Sequence, residues 1–452
     1  MHIHFIAIGG SAMHNLAIAL HKKGNKVTGS DDAILEPSKS RLAKHGLLPI
    51  KFGWFRQNIG ADIDAVILGM HAKADNPELL EAQKLGIPIY SYPEYISKQC
   101  VNKQRIVIAG SHGKTSITAM ILHVLKGLKV NADYLVGAQL EGFDTMVKLS
   151  DAPIVVLEGD EYLSSPIDRK PKFLWYKPHI AVISGIAWDH INVFPTFDNY
   201  VQQFEAFVQS ILPDGQLFYY KNDAHLNKIV QHHSHVQKIA YTAQAHRIEH
   251  GLTYLQTDKD EIPINVFGEH NLQNLRAAYH VCKSLGIDDE SFYNNIKSFG
   301  GASKRLEKIA HSKESIVYKD FAHSPSKLKA TIHAVRKQYP FHKLIACMEL
   351  HTFSSLTKEF LKEYRACMDD ADISLVYFNP ETIERKGLDL IEKDDIRRAF
   401  DRKDLIVLSD SKEVQKTLKA QSLNKTVVLL MTSGNFDGIS LNKFAQELMD
   451  GI

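Results

Sequence analysis

Seven consecutive residues, Gly110-Ser111-His112-Gly113-Lys114-Thr115-Ser116, combine the types that hold a polyphosphate. The glycines allow a turn whose backbone N–H groups face phosphate oxygens, and a helix starting behind it adds its positive dipole end. Lys114 then reaches the β- and γ-phosphates, and the Thr115 hydroxyl ligates Mg²⁺. The generic motif carries a further glycine at Ile108 or Ala109, and neither is glycine here. The plainer alternative is a helix that merely starts after a glycine turn. A strand-like run before the loop and a helical pattern after it favour the phosphate reading.

Other residues could complete such a site. Glu158 ends the apolar run Val155-Val156-Leu157, so its carboxylate should leave the sheet beside the loop, where a hard cation takes oxygen ligands. Asn271 and Asn274 are three apart and share a face if helical; amides donate and accept together, which suits an adenine edge. An N-cap at Asn271 is the alternative. Arg305 offers a guanidinium fork for a γ-phosphate, with a surface arginine at a domain boundary as the alternative, and Asp320 could accept from ribose hydroxyls or simply end a strand. Near the N-terminus, Gly9-Gly10-Ser11-Ala12-Met13 lies between strand and helix, with Asp31 at the spacing of a ribose-contacting acid. Tight strand–helix packing alone would also explain those glycines.

The elements that must position these residues alternate. His4–Ile8, Lys26–Asp31, Ala65–Gly69 and Ile87–Tyr90 read as strands, with a helical face at Met13, Leu16, Ala17 and Leu20. Arg105–Ala109, Ile154–Leu157 and Ile180–Ile183 follow, then Ser315–Tyr318, Lys343–Met348, Ile373–Tyr377, Leu405–Leu408 and Val427–Met431. The expected architecture is α/β with three domains. These are an N-terminal Rossmann-like domain over 1–101, a central P-loop ATPase-type domain over 102–302 and a C-terminal Rossmann-like domain over 303–452.

Composition is that of an ordinary globular protein. Of 452 residues, 44% are hydrophobic and 23% charged, enough apolar material for several cores. A net charge of +2 without basic clusters gives no reason to expect nucleic acid or membrane-surface partners. Cys100, Cys282, Cys347 and Cys367 are scattered with no CxxC pair, which fits a reducing cytoplasm. Neither a signal peptide nor an apolar run of spanning length is evident. A monomer or weak homo-oligomer is expected.

The loop G-S-H-G-K-T-S resembles that of the Mur ligase family, and further segments resemble the family's motifs in the same order. They are Glu158-Gly159-Asp160-Glu161-Tyr162, Trp188-Asp189-His190, Gly268-Glu269-His270-Asn271-Leu272-Gln273-Asn274, Lys304-Arg305-Leu306-Glu307 and Asp320-Phe321-Ala322-His323-Ser324-Pro325. Together they span most of the chain. The resemblance implies an ATP- and Mg²⁺-dependent ligase that forms an amide on UDP-N-acetylmuramate through an acyl phosphate. It implies that Gly110 to Ser116, Asn271, Asn274, Arg305 and Asp320 bind ATP, that Thr115, Glu158 and His190 bind magnesium, and that Lys114, Glu158, His190 and Arg305 serve catalysis. Gly10, Ser11, Met13, Ser30, Asp31 and His71 are implied near the UDP part of the substrate. His323 and His351 are implied at the substrate in the C-terminal domain.

Two kinds of family member share this N-terminal domain: one adds L-alanine, the other the tripeptide L-Ala-γ-D-Glu-meso-diaminopimelate in peptidoglycan recycling. The segments Glu161-Tyr162 with Asp168 to Phe173, Trp188 to Phe194, and Ser433 to Ile439 resemble the tripeptide-adding kind, which is the expectation, with L-alanine as the alternative. Glu349-Leu350-His351-Thr352 departs from it by lacking an arginine, and Ser324 stands where a second histidine is usual. A P-loop kinase or ATPase, or a non-catalytic nucleotide sensor, are the rivals from other classes.

Overall fold

Apolar runs of four to eight residues, each closed by a glycine or polar turn, pair as parallel strands when helices cover both sheet faces. The computed structural model describes residues 1–140, 142–188, 193–301 and 305–451. It divides into two compact units. The first comprises Met1–Trp188, Val193–Thr242 and Ala277–Asn295; the second comprises Ala243–Arg276 and the described part of Ile296–Ile452.

The first unit begins with β1 (His2–Ile6), α1 (Ser11–Lys22), β2 (Lys26–Ser30), α2 (Ser38–Lys44), β3 (Ala65–Leu68), α3 (Pro77–Lys84), β4 (Ile89–Ser91) and α4 (Tyr92–Gln99). Its sheet order is β2-β1-β3-β4, all parallel. Ile6 pairs with both Ser30 and Leu68, so the turns after β1, β2 and β3 leave the sheet at one edge. The first strand begins and ends two residues earlier than the apolar run His4–Ile8 suggested. Ala7 sits at φ 72, a left-handed conformation that L-residues adopt at a cost, and it turns the chain so that Ala7 and Ile8 both donate to the Ser30 carbonyl.

A seven-stranded sheet follows, from β5 (Gln104–Ala109), α5 (Lys114–Gly127), β6 (Ala132–Leu135), β7 (Val147–Lys148), β8 (Ile154–Glu158), β9 (Ile180–Ile183), α6 (Phe197–Gln209), β10 (Gln216–Tyr220), α7 (Ala224–Gln231) and β11 (Gln237–Tyr241). Its order is β11-β10-β9-β5-β8-β6-β7, with only β7 antiparallel. Ile106, Val107 and Ile108 of the central β5 are fully buried, each contributing about 1.5–3 kcal/mol of apolar transfer. The register Ile108 to Glu158 and Ala109 to Ile183 brings Gly110, Glu158 and Ser184 to the same carboxyl edge.

The second unit holds a small antiparallel sheet, β12 (His246–Glu249), β13 (Leu252–Gln256) and β14 (Glu261–Ile264). The helices α8 (Glu269–Ser284) and α9 (Asp289–Ile296) come next in the chain. A six-stranded sheet is formed by β15 (Glu307–His311), β16 (Ile316–Asp320), β17 (Lys343–Leu350), β18 (Ile373–Phe378), β19 (Ile406–Leu408) and β20 (Thr426–Met431), with α10 (Pro325–Gln338) after β16. Its order is β15-β16-β20-β17-β18-β19, and only β15 is antiparallel.

Residues 243–276, which the sequence reading places in a central domain over 102–302, share the second compact unit with the C-terminal part of the chain. Gln338 on α10 donates to the Gly251 carbonyl at 2.7 Å and meets the Thr253 hydroxyl at 3.1 Å, and Phe267 packs edge-on against Tyr318. All four cysteines are buried free thiols. Among the described residues no helix is long and apolar enough to cross a membrane.

Candidate active site

The loop after β5 is built by two glycines in conformations other residues rarely take. Gly110 lies at φ 122, and a Cβ there would come within 2.8 Å of the Ser184 amide nitrogen. Gly113 lies at φ 77 and caps α5. The first residues of α5 are therefore Lys114, Thr115 and Ser116, whose amides point out of the helix start.

Around the loop runs a connected set of polar contacts. Lys114 Nζ donates to the Gly110 carbonyl at 2.7 Å and to Glu161 Oε2 at 2.8 Å. Tyr200 Oη donates to the other Glu161 oxygen at 2.8 Å, which leaves the Ser111 hydroxyl to donate to Tyr200 at 2.9 Å. Ser111 in turn accepts from the Ala187 N–H. The side chain of Glu161 is 1% exposed and that of Lys114 14%. Burial pulls the Lys114 ammonium down, but the carboxylates of Glu161, Asp160 and Glu158 outweigh it and hold the group above the ordinary lysine value.

Glu158 leaves β8 next to this cluster. One of its oxygens accepts from Thr115 Oγ1 at 2.9 Å and the other from the Gly137 N–H at 2.7 Å. Burial pushes its carboxyl above the ordinary value against those donors and Lys114. A hydroxyl and a carboxylate oxygen 2.9 Å apart are hard donors placed to share one Mg²⁺, so this pair fits the expected ion. His190, expected as a further ligand, lies outside the described residues.

Glu161 and Tyr200 were not among the residues expected at the site. Glu161 stood in a recognised segment, but only the turn after β8 shows that it reaches Lys114. No sequence signal marks Tyr200, which arrives from α6.

In the N-terminal sheet, Asp31 is fully buried. Its carboxylate accepts from the Gly9 N–H at 2.7 Å and from His71 Nε2 at 3.0 Å. Burial raises Asp31, yet His71 and the Gly9 amide together bring it below the ordinary value; the hydrogen bond that His71 donates to Asp31 raises His71. Asp31 is thus committed to the turn, which differs from the expected direct ribose contact, and the half-exposed His71 is what it presents. Ser30 donates to the buried Glu78, which also accepts from the Phe55 N–H and Asn58. Gly10 precedes α1 and Ser11 is exposed on its first turn, whereas the Met13 side chain belongs to the core rather than to a substrate surface.

In the second unit, Asn271 and Asn274 are both buried on α8. The helix starts at Glu269, so Asn271 lies inside its first turn and is not the N-cap; its amide donates to the Phe267 carbonyl. Asp320 accepts from the Leu306 and Ala322 N–H groups, both at 2.7 Å, and its burial raises the carboxyl despite Arg305. Arg305 sits over the Phe321 ring at 5.0 Å. His323 holds its own chain, Nδ1 meeting the Phe321 carbonyl at 2.7 Å.

A second cluster in this unit joins β17 to the turn after β20. Glu349 accepts from Thr432 and from the Phe436 N–H at 2.9 Å, with His351 Nδ1 at 3.6 Å. Burial opposes its ionisation, but His351 and the two donors bring it below the ordinary value. Gly434 is needed there, since a Cβ would lie 2.9 Å from both Glu349 and His351. His351 remains 40% exposed.

The chain resembles known proteins along most of its length. Residues 2–103 match the family model described as Mur ligase family, catalytic domain, residues 108–282 the Mur ligase middle domain, and residues 304–434 the Mur ligase, glutamate ligase domain. The UDP-N-acetylmuramate–L-alanine ligase of Clostridium kluyveri is 31% identical over 384 residues, covering 82% of this chain and 81% of the relative. The solved UDP-N-acetylmuramate–alanine ligase of Thermotoga maritima superposes with a TM-score of 0.72 at 21% identity, over 97% of this chain and 96% of that one. The murein peptide ligase of Psychrobacter arcticus superposes with a TM-score of 0.67 at 22% identity, over 100% and 98%. Those two likenesses are of fold. With the three family models aligned in order on these sheets, this chain belongs to the Mur ligase family of ATP-dependent amide-bond-forming ligases.

Proposed function

We propose that the chain joins an amine to the carboxylate of UDP-N-acetylmuramate in peptidoglycan metabolism. The carboxylate oxygen attacks the γ-phosphorus of ATP and ADP leaves. The amine nitrogen then attacks the acyl carbon, phosphate departs with the bridging oxygen, and the nitrogen loses a proton. Phosphoryl transfer of this kind needs positioning and positive charge rather than a protein nucleophile.

The roles follow the sites. The amides of Gly110 to Ser116 and the Lys114 ammonium hold the phosphates, and Arg305 adds charge at the γ-phosphate. Asn271 and Asn274 take the adenine, and Asp320 fixes the strand end from which a ribose contact comes. Thr115 and Glu158, with His190 by resemblance, hold magnesium, which neutralises phosphate charge when bound. Gly10, Ser11 and His71 face the UDP part, with Asp31 holding His71 and Ser30 behind them on Glu78. His323 and His351 serve the amine. The observation that supports the reading most is the Lys114–Glu161 and Thr115–Glu158 pairing at the start of α5.

For the amine, the names of the curated relatives favour L-alanine over the tripeptide expected from the sequence. The tripeptide stays as a second reading because residues 161–173 and 433–439 resemble that kind of ligase. The structure gives the first of these segments a packing role. Asp168 accepts from Ser91 and from the Trp175 indole, tying the segment to the start of α4. Phosphate release from Mg-ATP and UDP-N-acetylmuramate, with each amine in turn, separates the readings. Turnover with L-alanine alone supports the first, turnover with the tripeptide alone the second, and turnover without any amine would refute both in favour of an ATPase.

A further inference from the structure

Between α7 and β11, at the edge of the seven-stranded sheet, the chain runs His232-His233-Ser234-His235. The proposed ligation uses none of these residues. His233 is 7% exposed and His235 is half-buried. The Nε2 atoms of both are shielded from solvent, and neither has a hydrogen-bond partner among the described residues. Leaving one such polar atom unsatisfied costs about 1–3 kcal/mol, so two of them two residues apart leave room for a shared ligand.

The spacing of the two rings is close to that of a pair sharing one ion. Their centroids are 5.7 Å apart and their planes cross at 75°, so they neither stack nor hydrogen-bond to each other. A zinc–imidazole bond of about 2.1 Å places the metal about 3.2 Å from a ring centroid, and a tetrahedral angle then separates two centroids by about 5.2 Å. The observed spacing is within about half an ångström of that span. Burial, with His235, His232 and Lys238 nearby, holds His233 below the ordinary histidine value, which keeps the imidazole in its metal-binding neutral form. Glu205 on α6 is the acid whose charge acts on His233 and would offset that of a cation.

We propose that His233 and His235 form a binding site for a divalent transition metal of the zinc class, with water completing the coordination. The ion would brace the turn between α7 and β11, in which both histidines lie. Among the described residues the three-ligand cluster is Asp31, Asp32 and His71, which lies at the proposed UDP-binding turn and supplies a control.

The test uses the full chain after chelation and dialysis, titrated with Co²⁺ and followed by visible absorbance. A ligand-field band saturating at one equivalent is expected, displaced by Zn²⁺, lost in His233→Phe and in His235→Gln, and retained in His71→Ala. No band in the unsubstituted chain, or a band that survives both substitutions, would overturn the site. Should the variants fail to fold, diethyl pyrocarbonate mapping of the unsubstituted chain decides. Zn²⁺ should slow modification of His233 and His235 by about tenfold, and unchanged rates would count against the proposal.

Discussion

The Lys114 ammonium lies 2.8 Å from the Glu161 carboxylate, and Tyr200 holds the second oxygen of that carboxylate. The lysine of the phosphate loop is therefore aimed by a buried acid delivered from the turn after β8. The sign of the pH effect follows. Glu161 and its neighbours raise the Lys114 value, so the charged form persists as pH rises and is lost only through that raised value. In Glu161→Gln burial acts with less opposition, and the alkaline limb of kcat should move to lower pH. An unmoved limb would mean that Glu161 does not act through Lys114.

A double-substitution cycle separates stability from turnover. Lys114→Met leaves Glu161 buried without its cation and should destabilise the chain by about 3 kcal/mol, while adding Glu161→Gln should restore most of that. Turnover should fall about 10³-fold in Lys114→Met and stay low in the double variant. Urea midpoints and single-turnover rates check both halves.

Asp31 sets the charge of His71. The hydrogen bond that His71 donates to the buried carboxylate raises the histidine, so its positive charge is fully present below the ordinary value and is lost as pH rises through the raised one. UDP-N-acetylmuramate affinity, measured by calorimetry, should weaken across that window. In Asp31→Asn the loss should begin at lower pH, with affinity at neutral pH down about tenfold, or about 1.4 kcal/mol.

Asp320 accepts from two backbone N–H groups with different oxygens. Asparagine cannot accept on both sides, so Asp320→Asn sets an amide donor against an N–H and should cost about 1–3 kcal/mol. Because Leu306 is one of the donors, the neighbouring Arg305 should also lose its placement. The melting temperature should fall and KM for ATP should rise, while KM for UDP-N-acetylmuramate stays unchanged.

What the sequence made legible was local. A strand, a glycine turn, Lys114-Thr115 and a helix are adjacent in the chain, so β5, the loop and α5 could be placed with little error. Asn271 and Asn274 share a helix face as their spacing suggested, although the helix begins two residues before Asn271. Long-range partners were not legible. Glu161 reaches Lys114 across 47 positions, and Tyr200 joins from α6. The small sheet β12-β13-β14 escaped notice because its strands are mostly half-exposed and only weakly apolar. The ribose-acid pattern fixes the position of Asp31 after β2 but not its burial, which the Gly9 turn decides.

The proposed ligation turns on an acyl phosphate formed on the sugar carboxylate. The most direct measurement supplies UDP-N-acetylmuramate with ¹⁸O in both carboxylate oxygens, together with Mg-ATP and the accepted amine. Mass spectrometry of the released phosphate then reads the oxygen's fate. One ¹⁸O per phosphate, with one left in the amide product, is the predicted result. Phosphate released without label would contradict the account and point to hydrolysis of ATP uncoupled from the carboxylate.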